Sequence, residues 1–457
     1  MIDVRRDFLE KYVEFLNNKT SFIFLKINHG FWDRLALIDE GNLWPKTQEE
    51  RVALEKHLNL PYFFTTNYFD ELMYILELCK SQNLSFEIFA SVSAEPRKAG
   101  IKEKNPNNWV IEKYLKQNSA PELATIMKFA CESGMTIELL KAMKSRRVVV
   151  VAPYLISKNS LLDNFENISY VNISFRSAYL QRWKVLEDIE NELLDHDHPI
   201  LLIQAGTLSV FWGTILALRN PNLTILDMGI ALGAFAPEAL ISDPGVWQIK
   251  SGLEIFETTE ELASLFAKTN TLDARLLARV AETSFLARQL SLPNARTGTL
   301  SSRLIEIKEV LNEIESQIDI EEAKLSAVKF WFSRALANSG EKEEALLELS
   351  ASLSRPIKGF HLPQVAQIEN YIRDKMYIQA IEALRIYISE YPSEIVFRHL
   401  GERISKLHVD NSFSEDLESW GKQENQVAGL SIFNSLPPWR EKHGVNVTKI
   451  GEGLLHA

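Results

Sequence analysis

Residues able to do chemistry gather where apolar runs of this chain break into polar corners that contain glycine. The first corner is Lys26-Ile27-Asn28-His29-Gly30-Phe31-Trp32-Asp33-Arg34. His29 can act as a base or a metal ligand, and Asp33 can orient it or join it, so these two are the candidate catalytic pair. Lys26 and Arg34 can meet an anionic group; the plainer reading is a solvated strand end with Phe31 and Trp32 packed beneath. A second pair of corners is Gly206-Thr207 and Asp227-Met228-Gly229. A carboxylate placed as Asp227 is can hold a ribose hydroxyl or a metal, or can cap the segment that follows. Arg176 and Tyr179 open a helix just after a strand. A guanidinium there can clamp a phosphate with two hydrogen bonds, or can rest in water. His196 and His198 in Asp-His-Asp-His share a face of an extended segment, but they precede a strand, away from the other corners, so a surface loop is the reading. No GxGxxG, Walker A, GxSxG or HExxH pattern occurs, and Gly229 and Gly233 do not make a dinucleotide fingerprint.

These corners must be positioned by strands and helices. Pro199 to Gly233 carries the clearest unit. Ile200-Leu201-Leu202-Ile203 is an unbroken apolar run, as expected of a strand buried on both faces of a parallel sheet. Leu208, Phe211, Trp212, Ile215 and Leu216 then follow at helical spacing, Asn220-Pro221-Asn222 breaks the helix, and Leu223–Leu226 reads as the next strand. In such a unit both corners lie at strand carboxyl ends, where open parallel sheets bind ligands and a helix amino terminus can hold phosphate. Ser21–Ile27, Phe86–Val92, Val148–Val151 and Ile168–Ile173 read as further strands. Strands alternate with helices from 21 to about 235. This predicts an α/β class with a doubly wound, Rossmann-like, mostly parallel sheet.

Beyond Asp243-Pro244-Gly245 the pattern becomes helical, with long stretches over Leu262–Leu290 and Leu300–Val328. From residue 328 an internal similarity places Ala345 and Ala380 at equivalent positions 35 residues apart. The period and helix–turn–helix pattern resemble tetratricopeptide repeats. The division expected is 1–250 as an α/β domain, 251–410 as an all-α repeat-like domain, and 411–457 as a polar, poorly ordered tail.

The 457 residues carry a formal net charge of −11, with no basic excess to neutralise phosphates along a nucleic acid, so nucleic acid is not an expected partner. The two cysteines, Cys79 and Cys131, lie in apolar helical patterns and read as buried thiols in a reducing compartment. The amino terminus is charged from its third residue and lacks the apolar core of a signal peptide. No run approaches the ~20 apolar residues of a membrane span. The expectation is a cytoplasmic protein.

Together the corners resemble the GT-D fold glycosyltransferases over about residues 20–235. SFIFLKINHGFWDRL is similar to that family's first strand and its Arg-x-Gly-Asp-Gly-Glu type turn. RRVVVVAPY resembles its central strand, and VNISFRSAYLQRW its Asn-Ala-Tyr segment. ILLIQAGTLSVFWGTILAL followed by TILDMG resembles its late signature, a strand ending Leu-Gly-Pro-Thr and a strand ending Asp-Ile-Gly-His. The resemblance implies sugar transfer from a nucleotide sugar to a glycan or glycoprotein acceptor, with manganese or magnesium held by a turn Asp-x-Glu. Here Lys26 stands for the Arg, Asn28 for the first Gly, His29 for the Asp and Phe31 for the Glu, while Gly30 matches. Ile230 replaces the final His. The metal-binding carboxylate pair is therefore not kept, and Lys26 and Arg34 can neutralise a diphosphate leaving group in its place. Gly206, Thr207, Asp227 and Gly229 carry over as substrate-binding positions, with Arg176 and Tyr179 beside them. The expected function is a glycosyltransferase. The alternative is an inactive GT-D-like binding protein that engages a protein partner through its helices.

Overall fold

A computed structural model describes residues 4–25, 126–157, 161–174, 178–206, 208–242, 274–291, 300–316, 322–392, 394–408 and 410–427. Its centre is a sheet of five strands: β1 (Ile23–Phe24), β2 (Arg147–Pro153), β3 (Asn167–Ile173), β4 (Ile200–Ile203) and β5 (Thr224–Asp227). They lie in the order β1-β5-β4-β2-β3, and every neighbouring pair is parallel. The register sets Val148 beside Ile200, Ile203 beside Asp227 and Ile23 beside Ile225. β-branched residues suit these positions because their stiff side chains fit a pleated surface covered on both sides.

Successive side chains of a strand point to opposite faces. Phe24, Val148, Val150, Ala152, Ile200, Leu202 and Leu226 join one buried cluster. The alternate residues Val149, Val151, Leu201, Ile203 and Ile225 are buried on the other face. Parallel strands need crossover connections, and helices supply them. α1 (Val4–Asn17), α2 (Ile126–Ser133) and α3 (Thr136–Met143) precede β2. The single turn α4 (Tyr154–Ser157) leaves β2, α5 (Arg182–Leu193) leads into β4, α6 (Leu208–Arg219) joins β4 to β5, and α7 (Pro237–Ser242) follows. α5 and α6 cover the second face; Gly213 of α6 sits so close to Leu25 that a Cβ there would lie 2.5 Å from Leu25 Cδ2.

At the amino-terminal edge of the sheet, the buried Arg146 guanidinium donates to the backbone carbonyls of His198 and, at 3.3 Å, of Leu16. Burial lowers the Arg146 pKa. His198 therefore belongs to this structural edge, and Ser21 approaches its Nδ1 at 3.4 Å.

Among the described residues eight further helices follow: α8 (Ala274–Leu290), α9 (Leu300–Glu315), α10 (Glu322–Ser339), α11 (Lys342–Leu353), α12 (Leu362–Arg373), α13 (Tyr377–Glu390), α14 (Ile395–Ser405) and α15 (Asn411–Val427). The first-face cluster continues without a break through α8–α11 as far as Ala366, by way of Phe330, Phe332 and Phe360. A second cluster, from Val365 to Leu417, is built by α12–α15. The stretch Leu300–Val328, expected as one helical run, is divided: α9 stops at Glu315 and α10 begins at Glu322. Residues 411–427, expected in the polar tail, form helix α15; Phe413 and Leu417, four apart, fall on one face and are buried in the second cluster.

The two helix–turn–helix copies turn alike. α10 ends where Gly340 N–H bonds Ala337 O and Glu341 N–H bonds Leu336 O. α12 ends where Lys375 N–H bonds Ile372 O and Met376 N–H bonds Tyr371 O. Both are Schellman ends with a left-handed residue, Gly340 at φ +98° and Lys375 at φ +59°. Ala345 and Ala380 are each buried in the helix that follows.

The described residues contain no helix long and apolar enough to cross a membrane. Cys131 is buried in α2; Cys79 and the expected strand Phe86–Val92 lie outside the described residues.

Candidate functional site

β2 hands the chain on toward β3 on one side, whereas β4 hands it on toward β5 on the other. The two connections diverge, so the carboxyl ends of β2 and β4 flank the place where an open parallel sheet leaves a crevice. Gln204 extends the ladder past β4, its N–H donating to Val151 O at 2.8 Å. Its Oε1 is buried and has no hydrogen-bond partner among the described residues. Gly206 then turns the chain at φ +58° with nothing within 4 Å of its missing Cβ. Leu208 and Ser209 N–H bond back to Ala205 and Gly206, so the turn closes on its own backbone at the start of α6.

One strand over, Asp227 ends β5 and is 2% exposed. Its Oδ1 accepts the Gly229 N–H at 3.0 Å, and Gly229 lies at φ +52°. The capping role thus exists, in a left-handed turn that favours glycine. β1 lies beside β5 and parallel to it, so its carboxyl end at Phe24 points to the same edge of the sheet.

The helical part of the chain reaches this edge as well. Between α11 and α12, Ile357 and Phe360 are buried in the first cluster and hold the connecting loop down. Gly359, at φ +86°, presses against Tyr154, where even a Cβ would come within 3.1 Å of Tyr154 Cβ. Lys358 Nζ stands 4.5 Å from the centre of the Tyr154 ring. At the end of β3, Ser174 Oγ donates to Glu394 Oε2 at 3.1 Å. Glu394 Oε1 lies 3.9 Å from His361 Nε2, with the two side chains 12% and 9% exposed. The His361 ring rests on Tyr391, centroids 4.2 Å apart, and its Nδ1 has no hydrogen-bond partner among the described residues. Burial lowers the His361 pKa to about 4, so the imidazole is neutral at neutral pH.

Of the residues singled out in the sequence, the structure places Gly206, Asp227 and Gly229 on adjacent strand ends. Tyr179 lies in the 3-10 turn Ala178–Gln181 that leads into α5. Lys26, Asn28, His29, Gly30, Asp33, Arg34, Arg176 and Thr207 lie outside the described residues. Sequence reasoning passed over Gln204, Lys358, His361 and Glu394. Only Gln204 carried a local signal, being the first polar residue after the β4 run.

Among the described residues no group of three or more His, Cys, Asp and Glu side chains could hold a metal ion. Asp227 brings one carboxylate, already engaged with Gly229. The turn at residues 26–34, where the resemblance would place a manganese or magnesium ion, lies outside the described residues. The described part of this edge carries the glycine turns at Gly206 and Gly229, the Asp227 carboxylate, the Gln204 amide and the Lys358 ammonium. Comparison with protein-family models, with curated proteins and with solved structures found no match.

Proposed function

We propose that this chain is a cytoplasmic glycosyltransferase that moves a sugar from a nucleotide-sugar donor to a glycan or protein-linked acceptor. The proposal takes the sheet as a doubly wound, Rossmann-like, GT-D-type domain and the helices behind it as a tetratricopeptide-like region for acceptor or partner. The observation that carries it is the pair of glycine turns on adjacent parallel strands, Gly206 after β4 and Asp227–Gly229 after β5, beside the divergence of β2 and β4. In the step proposed, an acceptor hydroxyl attacks the anomeric carbon, the carbon–oxygen bond to the diphosphate breaks, and His29 or Asp33 takes the hydroxyl proton. Lys26 and Arg34 neutralise the departing diphosphate.

A thermal-shift screen of the whole chain against nucleoside diphosphates and nucleotide sugars, with and without manganese or magnesium, tests this. At ~100 times the dissociation constant a ligand adds about 2.7 kcal/mol of stability. A shift for one nucleotide sugar is expected, with transfer abolished and the fold intact in His29→Ala. Wild-type transfer in that variant would overturn the assignment of His29. A second reading, a binding protein acting through its helices, is favoured by Ile378 and Ile386, which stand exposed on α13. It takes over if the panel gives no shift and the helical region captures a protein partner.

A further inference from the structure

We infer that Lys358 is an anion-binding residue which the helical part of the chain supplies to the carboxyl edge of the sheet, where it meets a phosphate group of the bound ligand. The inference rests on reading that edge as a nucleotide site. Three observations carry it. The first is position. Lys358 lies over Tyr154, the residue that follows β2, while Gln204 is hydrogen-bonded to Val151 of the same strand. The turns at Tyr154 and Gly206 thus leave neighbouring strand ends, whose spacing in a sheet is about 4.8 Å.

The second is fixation. A lysine on a free loop must order the loop backbone when it binds, a loss of conformational freedom that opposes binding. Here the loop is pinned before Lys358 by buried Ile357 and after it by Gly359 and buried Phe360. The third is availability. Lys358 is exposed, and its ammonium rests on an aromatic face; no carboxylate among the described residues neutralises it. A cation held over a ring keeps its charge for a second, anionic partner, since a ring contact at an exposed site is weak. The Leu208 and Ser209 N–H groups are engaged within the turn at Gly206, and a lysine adds a charge that they do not supply. In a chain of net charge −11, a fixed lysine also raises the local concentration of an anion.

Isothermal titration of the full chain decides it. The probes are uridine, guanosine and adenosine diphosphates, the three nucleosides, and inorganic pyrophosphate. The proteins are wild type, Lys358→Gln, Lys358→Arg and, as a control on another exposed lysine, Lys406→Gln. The expected result is that Lys358→Gln weakens pyrophosphate and the favoured diphosphate tenfold or more and its nucleoside less than twofold. Lys358→Arg retains binding, and Lys406→Gln matches wild type. Equal affinities in wild type and Lys358→Gln, or an equal loss in Lys406→Gln, would overturn the inference. If wild type binds pyrophosphate through Lys358 but none of the nucleotides, the anion site stands and the nucleotide reading falls. Binding of no probe by wild type overturns both.

Discussion

Two single residues carry opposite risks. Asp227 is buried and caps Gly229, so removing its carboxylate disturbs the turn before it disturbs any ligand. Asp227→Ala is expected to cost about 1–3 kcal/mol, the penalty of an orphaned hydrogen-bond group. Asp227→Asn keeps an acceptor at the same place and should unfold within about 1 kcal/mol of wild type; thermal melts of the three proteins check this. If Asp227 contacts the ligand through its charge, Asn loses binding without losing stability. His361 works through pH. Its folded pKa, about 4, lies below the ordinary value of 6.5, so the folded state favours the neutral ring. Stability is therefore complete above pH 6.5 and declines as pH falls toward 4, by up to roughly 3 kcal/mol, partly offset by Glu394, which a protonated ring would face. Urea midpoints between pH 7 and 4 should fall less steeply in His361→Asn than in wild type. Asp227 and Gly229 were legible because an apolar strand runs directly into them. His361 and Glu394 were not: Glu394 meets a serine 220 residues earlier in the chain, and no local period encodes such a contact.

Among elements, the strand–helix–strand unit β4–α6–β5 follows from the hydrophobic pattern alone, because each segment is apolar and bounded by glycine or Asn-Pro-Asn. Periodicity was silent on the break between α9 and α10. Neither glycine nor proline marks it. It was equally silent on why α6 has a glycine at its centre. Gly213 leaves room for Leu25, which follows β1, and only the pairing of β1 with β5 brings that residue under the helix. Gly213→Ala should destabilise by about 1–2 kcal/mol, because crowding a filled core exceeds the gain of about 1 kcal/mol in helix propensity. Leu25→Ala in the same chain removes the clash. A double-mutant cycle read by denaturant unfolding is expected to show favourable coupling.

Across the whole molecule, two buried clusters meet at one helix. α12 gives Ala366 to the cluster that contains the sheet and Val365, Ile368 and Ile372 to the one closed by α15. Helix α15 was hidden in the sequence because its polar positions outnumber its apolar ones, and only the spacing of Phe413, Leu417 and Trp420 betrays a buried face. Phe413→Ala is expected to cost about 3–5 kcal/mol, the usual range for a buried phenylalanine. Because the loss falls within the second cluster, calorimetry should resolve an earlier transition for α12–α15 while the sheet melts at its former temperature. Hydrogen exchange would place that earlier opening on residues 362–427.

The two Schellman turns add a consequence for the order in which the helical hairpins give way. Gly340 adopts its left-handed conformation freely, whereas Lys375 holds the same conformation with a side chain attached, at a cost of about 1 kcal/mol or more. The repeated unit is thus built once relaxed and once under load. Drawn apart in an optical trap, the chain should yield at the α12–α13 turn before the α10–α11 turn, and Lys375→Gly should make the two rupture forces converge.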